Sequence, residues 1–316
     1  MLRGLREKNK KDQEKVRKVD EHLTYCVIRR EDKNCGLFSF FITNLGGIHY
    51  SIINGKIPVI DMQNVHNIYL SAGEYGKVNA WEKYFEQPAG ITLEDIRDKE
   101  NIEYIDGCTI IRPNLSMDFI TNEGLVRYWR NICRKYVRFN PKVGLFVEEC
   151  ARKVFNGRCP QNIVGVLCRG TDYVGLRPHN HPVQPDCDMI IDKVIEIVEA
   201  NHCDAVYLAS EDAYIMSRFR EKLGGLLLDS IGEKYSGVGN EYLADFFRRE
   251  KTDSFKQGLD YLASIYCLSR CGYLIAGRTS GSVAAFLLSE GFRYYHFWNL
   301  GVYGVDDEYS RKGYLV

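Results

Sequence analysis

Short runs dominated by apolar residues, separated by helical patterns, constrain this chain more than any other feature. They are IVGVLC from residue 163, AVYLAS from 205, LLLD from 226, YLIAG from 273 and RYYHFW from 293. A strand with one wet face alternates polar and apolar side chains. Strands with no polar face are buried on both sides, and helices between them indicate a parallel sheet covered above and below. Apolar residues recur at helical spacing from about 186 to 201, 212 to 223, 259 to 269 and 282 to 289, so helices are expected there. In such a sheet, ligands bind beyond the carboxyl ends of the strands. The residues that follow IVGVLC, AVYLAS and YLIAG are therefore the ones to read for chemistry.

Before residue 160 the rhythm differs. Strands are expected at 25–28 and 57–60, and helices over 39–54 and 124–136. The segment GLFSFFITNLGGIHYSIINGKIPVIDM reads as a loop, an apolar helix, a Gly-Lys-Ile-Pro exit and a strand ending in Asp61. NAWEKYFEQPAG reads as a packed helix end before the break at Pro88. At 316 residues the length favours two domains. The change of rhythm divides the chain into a charged N-terminal segment (1–22), an N-terminal lobe (23–158) and a C-terminal lobe (159–316).

Bulk properties exclude some classes of function. Lys plus Arg equals Asp plus Glu at 42 each, so no global positive field draws nucleic acid or an anionic membrane, and an anion site must be local. Eleven cysteines occur with no C-x-x-C pair, which argues against a disulfide framework and a zinc knuckle, and Cys168 and Cys267 lie in apolar runs. The first residues mix both charges without an apolar core, and no stretch of about 18 apolar residues follows. A reducing, cytoplasmic setting with no membrane span is expected.

After the first strand of the second half come Arg169, Gly170, Thr171 and Asp172. Arg carries a planar fork that suits phosphate oxygens and does not titrate near neutrality. The alternative is an Arg169–Asp172 ion pair that stiffens a loop. After AVYLAS come Ser210, Glu211 and Asp212, with Ser210 as an N-cap, and capping alone would also account for them. After YLIAG come Gly277, Arg278, Thr279, Ser280, Gly281 and Ser282, feeding an apolar helix whose free N–H groups form a phosphate cradle. The chain has neither a Walker loop nor G-x-G-x-x-G, which disfavours P-loop hydrolysis and ordinary NAD(P) binding. It also has no D-x-D, so a guanidinium and a helix dipole, not a metal ion, are expected to neutralise a leaving diphosphate.

At these residues, over roughly 160–290, the sequence resembles the fucosyltransferase superfamily, which includes α1,6-, α1,2- and protein O-fucosyltransferases. Leu167-Cys168-Arg169-Gly170-Thr171-Asp172 matches the family's H-x-R-x-x-D with the His replaced, and Val174-Gly175 and His181-Pro182 continue the match. Leu268 to Ile275, followed by Thr279 to Ser282, matches a second motif. The resemblance implies an α/β GT-B fold of two Rossmann-like lobes. The donor site would lie in the C-terminal lobe, and the acceptor in the cleft against residues from about 35 to 150. It implies an inverting, metal-independent transfer of fucose or a related sugar from GDP-fucose or another GDP-sugar to a glycan or lipid-linked saccharide, in bacterial polysaccharide assembly. Carried over from the family, Arg169 would bind the diphosphate, Ser280 and Gly281 would contact the phosphates and Asp260 would touch the guanine, while the strand ends add Gly170, Thr171, Ser210, Glu211, Arg278, Thr279 and Ser282 as donor-binding candidates.

The sequence departs from the family at two positions. The acidic residue proposed there as base is Arg177 here, and the second Arg is Gly170. A base must lie within hydrogen-bond reach of the acceptor hydroxyl, and in this stretch the candidates are Asp172, His179 and His181, with a plain surface-loop place in RPHNHPVQP as the alternative for each His. A UDP- or ADP-sugar donor, or a non-catalytic glycan-binding relative, are the alternatives.

Overall fold

Strand β4 (Ile163–Leu167) is buried at every position, and so are β5 (Ala205–Ala209) and β6 (Tyr273–Ala276). Val164 and Val166 of β4 point into one apolar cluster, with Val206, Leu208 and Ile275, while Ile163 and Leu167 point into another, with Tyr207 and Leu274. The two-residue period of a strand thus serves two cores. With β7 (Tyr294–Phe297) these strands form a four-stranded parallel sheet in the order β5-β4-β6-β7. Helices α6 (Cys187–Asn201) and α7 (Ala213–Leu223) cover one face, through Ile190, Val194 and Phe219. The opposite face carries α9 (Ser254–Arg270) and α10 (Ser280–Leu288), through Leu262, Ile265 and Val283.

The chain was obtained as a computed structural model that describes residues 23–31, 35–71, 73–170, 174–236, 241–250 and 252–304. The charged segment 1–22 lies outside the described residues.

The first half builds a separate three-stranded parallel sheet, β2-β1-β3, from β1 (Tyr25–Arg29), β2 (Ile57–Ile60) and β3 (Ile102–Asp106). Helix α1 (Leu37–Ile53) joins β1 to β2. Short helices α2 (Ala80–Tyr84) and α3 (Met117–Thr121) precede α4 (Glu123–Tyr136) and α5 (Pro141–Phe155), and α8 (Leu243–Arg249) falls between α7 and α9. Helices α1 and α4 pack on α10, and α5 packs on α9, so one apolar cluster runs from Ile28 through Phe155 to Phe297.

The structure corrects two expectations and adds a strand. LLLD forms no strand, contributing one bridge from Leu227 to Val206 at the edge of β5. Ser210 is not the cap of α7. Asp212 is, accepting from the N–H groups of Tyr214 (2.8 Å) and Ile215 (3.2 Å), because the chain needs two more residues to leave the sheet before it turns helical. Strand β3 was not anticipated, since its partly exposed pattern carries no continuous apolar run. No helix among the described residues is long and apolar enough to cross a membrane.

Candidate functional site

Because β4, β5 and β6 run parallel, the residues after Leu167, Ala209 and Ala276 emerge at one edge of the sheet. A cleft of about 1800 Å³ opens there, lined by Arg169, Ser210, Glu211, Thr279, Ser280 and Gly281. Residues of the first half line it as well, among them Phe38, Tyr69 and Arg112, with Phe38 packed on the Tyr261 ring at 5.0 Å.

Arg169 leaves β4 with its Nε 3.3 Å from Glu211 Oε1, and both side chains are largely buried, at 13% and 16% exposure. The ion pair foreseen was with Asp172, which lies outside the described residues; the one the structure describes is to Glu211. Gly170 leaves space for Asp212: a Cβ at 170 would sit 2.3 Å from Asp212 Oδ2. Ser210 Oγ accepts from Asp212 N (3.2 Å), so the turn after β5 is fixed by the same carboxylate-bearing residue that caps α7. Thr171 and Asp172 lie outside the described residues.

The start of α10 is a capping box. Thr279 Oγ1 accepts from Ser282 N (3.2 Å), and Thr279 N donates to Ser282 Oγ (2.9 Å), which donates in turn to Gly277 O (2.8 Å). Ser282 is consequently turned inward, fully buried and absent from the cleft lining. The first helical positions, Ser280 and Gly281, do line the cleft, and N–H groups of a first turn have no intrahelical acceptor. Gly281 has no room for a side chain, since a Cβ would come 2.3 Å from Tyr261 Oη.

Arg278 does not line the cleft. Its guanidinium is fully buried, donating from Nη2 to Gly301 O (2.8 Å) and from Nη1 to Leu115 O (3.3 Å), and burial pushes its pKa down to about 10. Its position next to the cradle suggested a donor contact, but its side chain ties two distant backbone segments together instead. His181 lines the cleft with Nδ1 3.0 Å from His179 O, whereas His179 is not part of the lining and its ring lies against Gly304. The loop carrying both is pinned by Asn180 N to Tyr303 O (2.9 Å), Tyr303 N to His181 O (2.9 Å) and Val183 N to Gly301 O (3.1 Å). Arg177, on the same loop, has a left-handed backbone at φ 45°.

Asp260 lines the cleft from α9 and accepts from Lys256 Nζ (2.7 Å) one helical turn earlier. Sequence reasoning missed Lys234, which also lines the cleft. It donates to Ile231 O (2.7 Å), and burial pulls its pKa below the ordinary lysine value against the opposing fields of Glu211 and Asp260. Lys234 sits in an irregular stretch with no periodic signal, so only its charge could have marked it. Arg112 was missed for the same reason, whereas Tyr261 lies on a helix that was foreseen and was missed because periodicity does not tell which helical side chains face a cleft. Among the described residues no three His, Cys, Asp or Glu side chains gather as a metal-binding group.

No protein-family model matches the sequence, and no curated protein matches it. Solved structures are similar to it. The fucosyltransferase NodZ from Bradyrhizobium is 14% identical over 84% of this chain and 94% of its own, with a TM-score of 0.51. NodZ alpha-1,6-fucosyltransferase co-crystallized with GDP gives 15%, 84%, 93% and 0.50 in the same terms. POFUT1 in complex with GDP is 11% identical over 91% of this chain and 100% of its own, with a TM-score of 0.50. At these identities the likeness is one of fold: this chain has the α/β architecture of fucosyltransferases.

Proposed function

We propose that the protein is an inverting glycosyltransferase of the two-lobed GT-B type, using GDP-fucose or a related GDP-sugar. Residues 159–316 would hold the donor and residues 23–158 the acceptor, a glycan or lipid-linked saccharide of bacterial polysaccharide assembly in the cytoplasm. One observation carries this reading. Arg169 and the open first turn of α10 line the same cleft at the carboxyl edge of a parallel sheet. A guanidinium and a helix start both favour a diphosphate. GDP bound to two proteins of this fold supports the choice of base.

In this mechanism the acceptor oxygen attacks the anomeric carbon from the face opposite the diphosphate. The C–O bond to the phosphate breaks, and the acceptor proton passes to a base. Arg169, held by Glu211, and the Ser280 and Gly281 N–H groups take up the charge that develops on GDP, the role a metal ion would otherwise fill. Of the bases foreseen, His181 lines the cleft and His179 does not, while Asp172 lies outside the described residues.

The test is a thermal-shift panel of GDP, UDP and ADP, followed by turnover of GDP-fucose by Arg169→Ala. GDP at a hundred times its Kd is expected to stabilise the fold by about 2.7 kcal/mol, with UDP and ADP doing less. Loss of Arg169 is expected to lower kcat by about 10²–10³-fold, as for a lost oxyanion donor. Stronger protection by UDP or ADP would reassign the donor. Undiminished turnover by Arg169→Ala would remove the leaving-group role.

A further inference from the structure

The two walls of the cleft differ in charge. Among the described lining residues, the second half contributes Arg169, Lys234, Arg248 and Lys256 against Glu211, Glu233, Asp253 and Asp260, a balanced set. The wall from the first half contributes Arg30 and Arg112 and, among the described residues, no carboxylate. A diphosphate held by Arg169 leaves Arg112, which also lines the cleft, without a role.

Arg112 is firmly placed. The loop that carries it lies against α1 at two glycines: a Cβ on Gly46 would come 2.7 Å from Arg112 Cβ, and one on Gly107 would come 3.1 Å from Thr43 O. Its Nη1 donates to the carbonyls of Cys108 and Ile110. Its Nε and Nη2, the edge that binds a carboxylate or phosphate with two parallel hydrogen bonds, have no partner among the described residues. Arg30 spends Nη1 on Ser39 O (3.1 Å) and Ser39 Oγ (2.7 Å) and Nη2 on Cys35 Sγ (2.6 Å), so the open fork in this part of the cleft is that of Arg112. Both guanidinium groups act on one spot: burial pushes the Cys108 thiol up while Arg30 and Arg112 each pull it down, with Asp106 opposing them. The Asp106 carboxylate receives Cys108 N (2.8 Å) and does not line the cleft. Apolar Phe38, Ile42, Ile110 and Leu115 line the cleft from the same half, together with polar Ser39, Thr43 and Asn114.

We propose that this wall receives an acidic saccharide acceptor whose anionic oxygens are held by the Nε–Nη2 edge of Arg112 beside Arg30. The inference rests on the transferase reading above and narrows its acceptor from any glycan to one bearing an oxyanion. A uronate carboxylate and a sugar phosphate present the same chemistry, two or more oxygens sharing charge in the plane of the guanidinium.

The test titrates pairs of ligands that differ only in that charge into protein saturated with GDP, followed by calorimetry. One pair is a hexasaccharide of alternating glucuronate and N-acetylglucosamine and its carboxyl-reduced form. The other is N-acetylglucosamine 1-phosphate and N-acetylglucosamine. At least one charged member is expected to bind about ten- to a hundredfold more tightly than its neutral twin, the range for a hydrogen-bonded charge. Preference in the first pair identifies a uronate, and in the second a phosphate. Arg112→Gln is expected to level the pair without changing the Kd for GDP, and Arg112→Lys, which keeps charge but not the fork, to restore part of the preference. Equal binding of both members in both pairs, no binding by either charged ligand, or full preference in Arg112→Gln would each overturn the proposal. Failure of GDP to bind would sink the transferase reading separately, and the same pairs titrated without GDP would still read the Arg112 edge.

Discussion

At Gly170 and Gly281 a single hydrogen in place of a side chain lets a polar group approach the backbone at the mouth of the sheet. At Gly281 the group is Tyr261 Oη, 2.3 Å from where a Cβ would stand. Alanine is ordinarily the better helix residue, by roughly 0.5–1 kcal/mol. Here overpacking of about 1–3 kcal/mol outweighs that gain. Gly281→Ala should therefore lower stability and weaken GDP binding. Tyr261→Phe in the same chain should return part of both, since the remaining contacts are to Tyr261 Cζ and Ile265 Cδ1 at 3.2 Å. A double-mutant cycle in urea checks this, and additive effects would show that the hydroxyl is not the obstacle. Burial lowers the pKa of His49, and burial followed by the field of Lys193 lowers that of His296, from an ordinary 6.5. As pH falls through 6.5 the unfolded chain takes up these protons before the folded one does, so stability falls. Tm should decline from pH 7.5 to 5.5, and less steeply in His49→Gln/His296→Gln. Arg169 and the Thr279–Gly281 turn were legible in the sequence because a buried strand leads directly into each. The direction of a side chain is not legible, which is why Arg278 and Ser282 looked like donor ligands and are held on backbone and capping partners instead.

Helix α10 connects residue chemistry to the frame, because its two ends are fixed by different parts of the chain. At its start, Thr279 and Ser282 cap each other. At its end, Arg130 from α4 donates to Phe286 O (3.0 Å) and Ser289 Oγ (3.3 Å), placing a cation at the negative end of the helix dipole. Thr279→Ala should cost about 1 kcal/mol, as loss of a cap does. Arg130→Met should cost about 1–2 kcal/mol, through carbonyls left without their donor. The ends are roughly 13 Å apart by helical rise, so the two losses should add in urea unfolding. Only the first removes a residue that lines the cleft, so Thr279→Ala should weaken GDP binding more than Arg130→Met. Helices α4 and α6 were close to their expected bounds because a 3.6-residue period survives even at a half-buried site. LLLD misled because apolar residues at a sheet edge pack without pairing along their length.

At the scale of the molecule, the change of rhythm near residue 160 marks a change of sheet, while the apolar core runs through it. Helix α5 precedes the change yet packs on α9, and α1 and α4 pack on α10. Tyr84, fully buried in the first half, donates to the carbonyls of Phe255 (3.2 Å) and Ser254 (3.3 Å) at the start of α9, where Gly258 makes room for its ring. Melting either sheet alone would expose this shared surface, and each large apolar side chain uncovered costs about 1.5–3 kcal/mol. Unfolding should therefore be a single transition whose calorimetric and van't Hoff enthalpies agree. GDP, although held by the second sheet in the proposed mechanism, should then move the whole transition upward. Two separable transitions, with GDP shifting only the one that reports on residues 159–316, would mean that the halves fold independently and that the cleft is a hinge between them. In that case the acceptor wall at Arg112 would have to be brought to the donor by closure, and mutations in the α5–α9 contact would change KM for the acceptor more than stability.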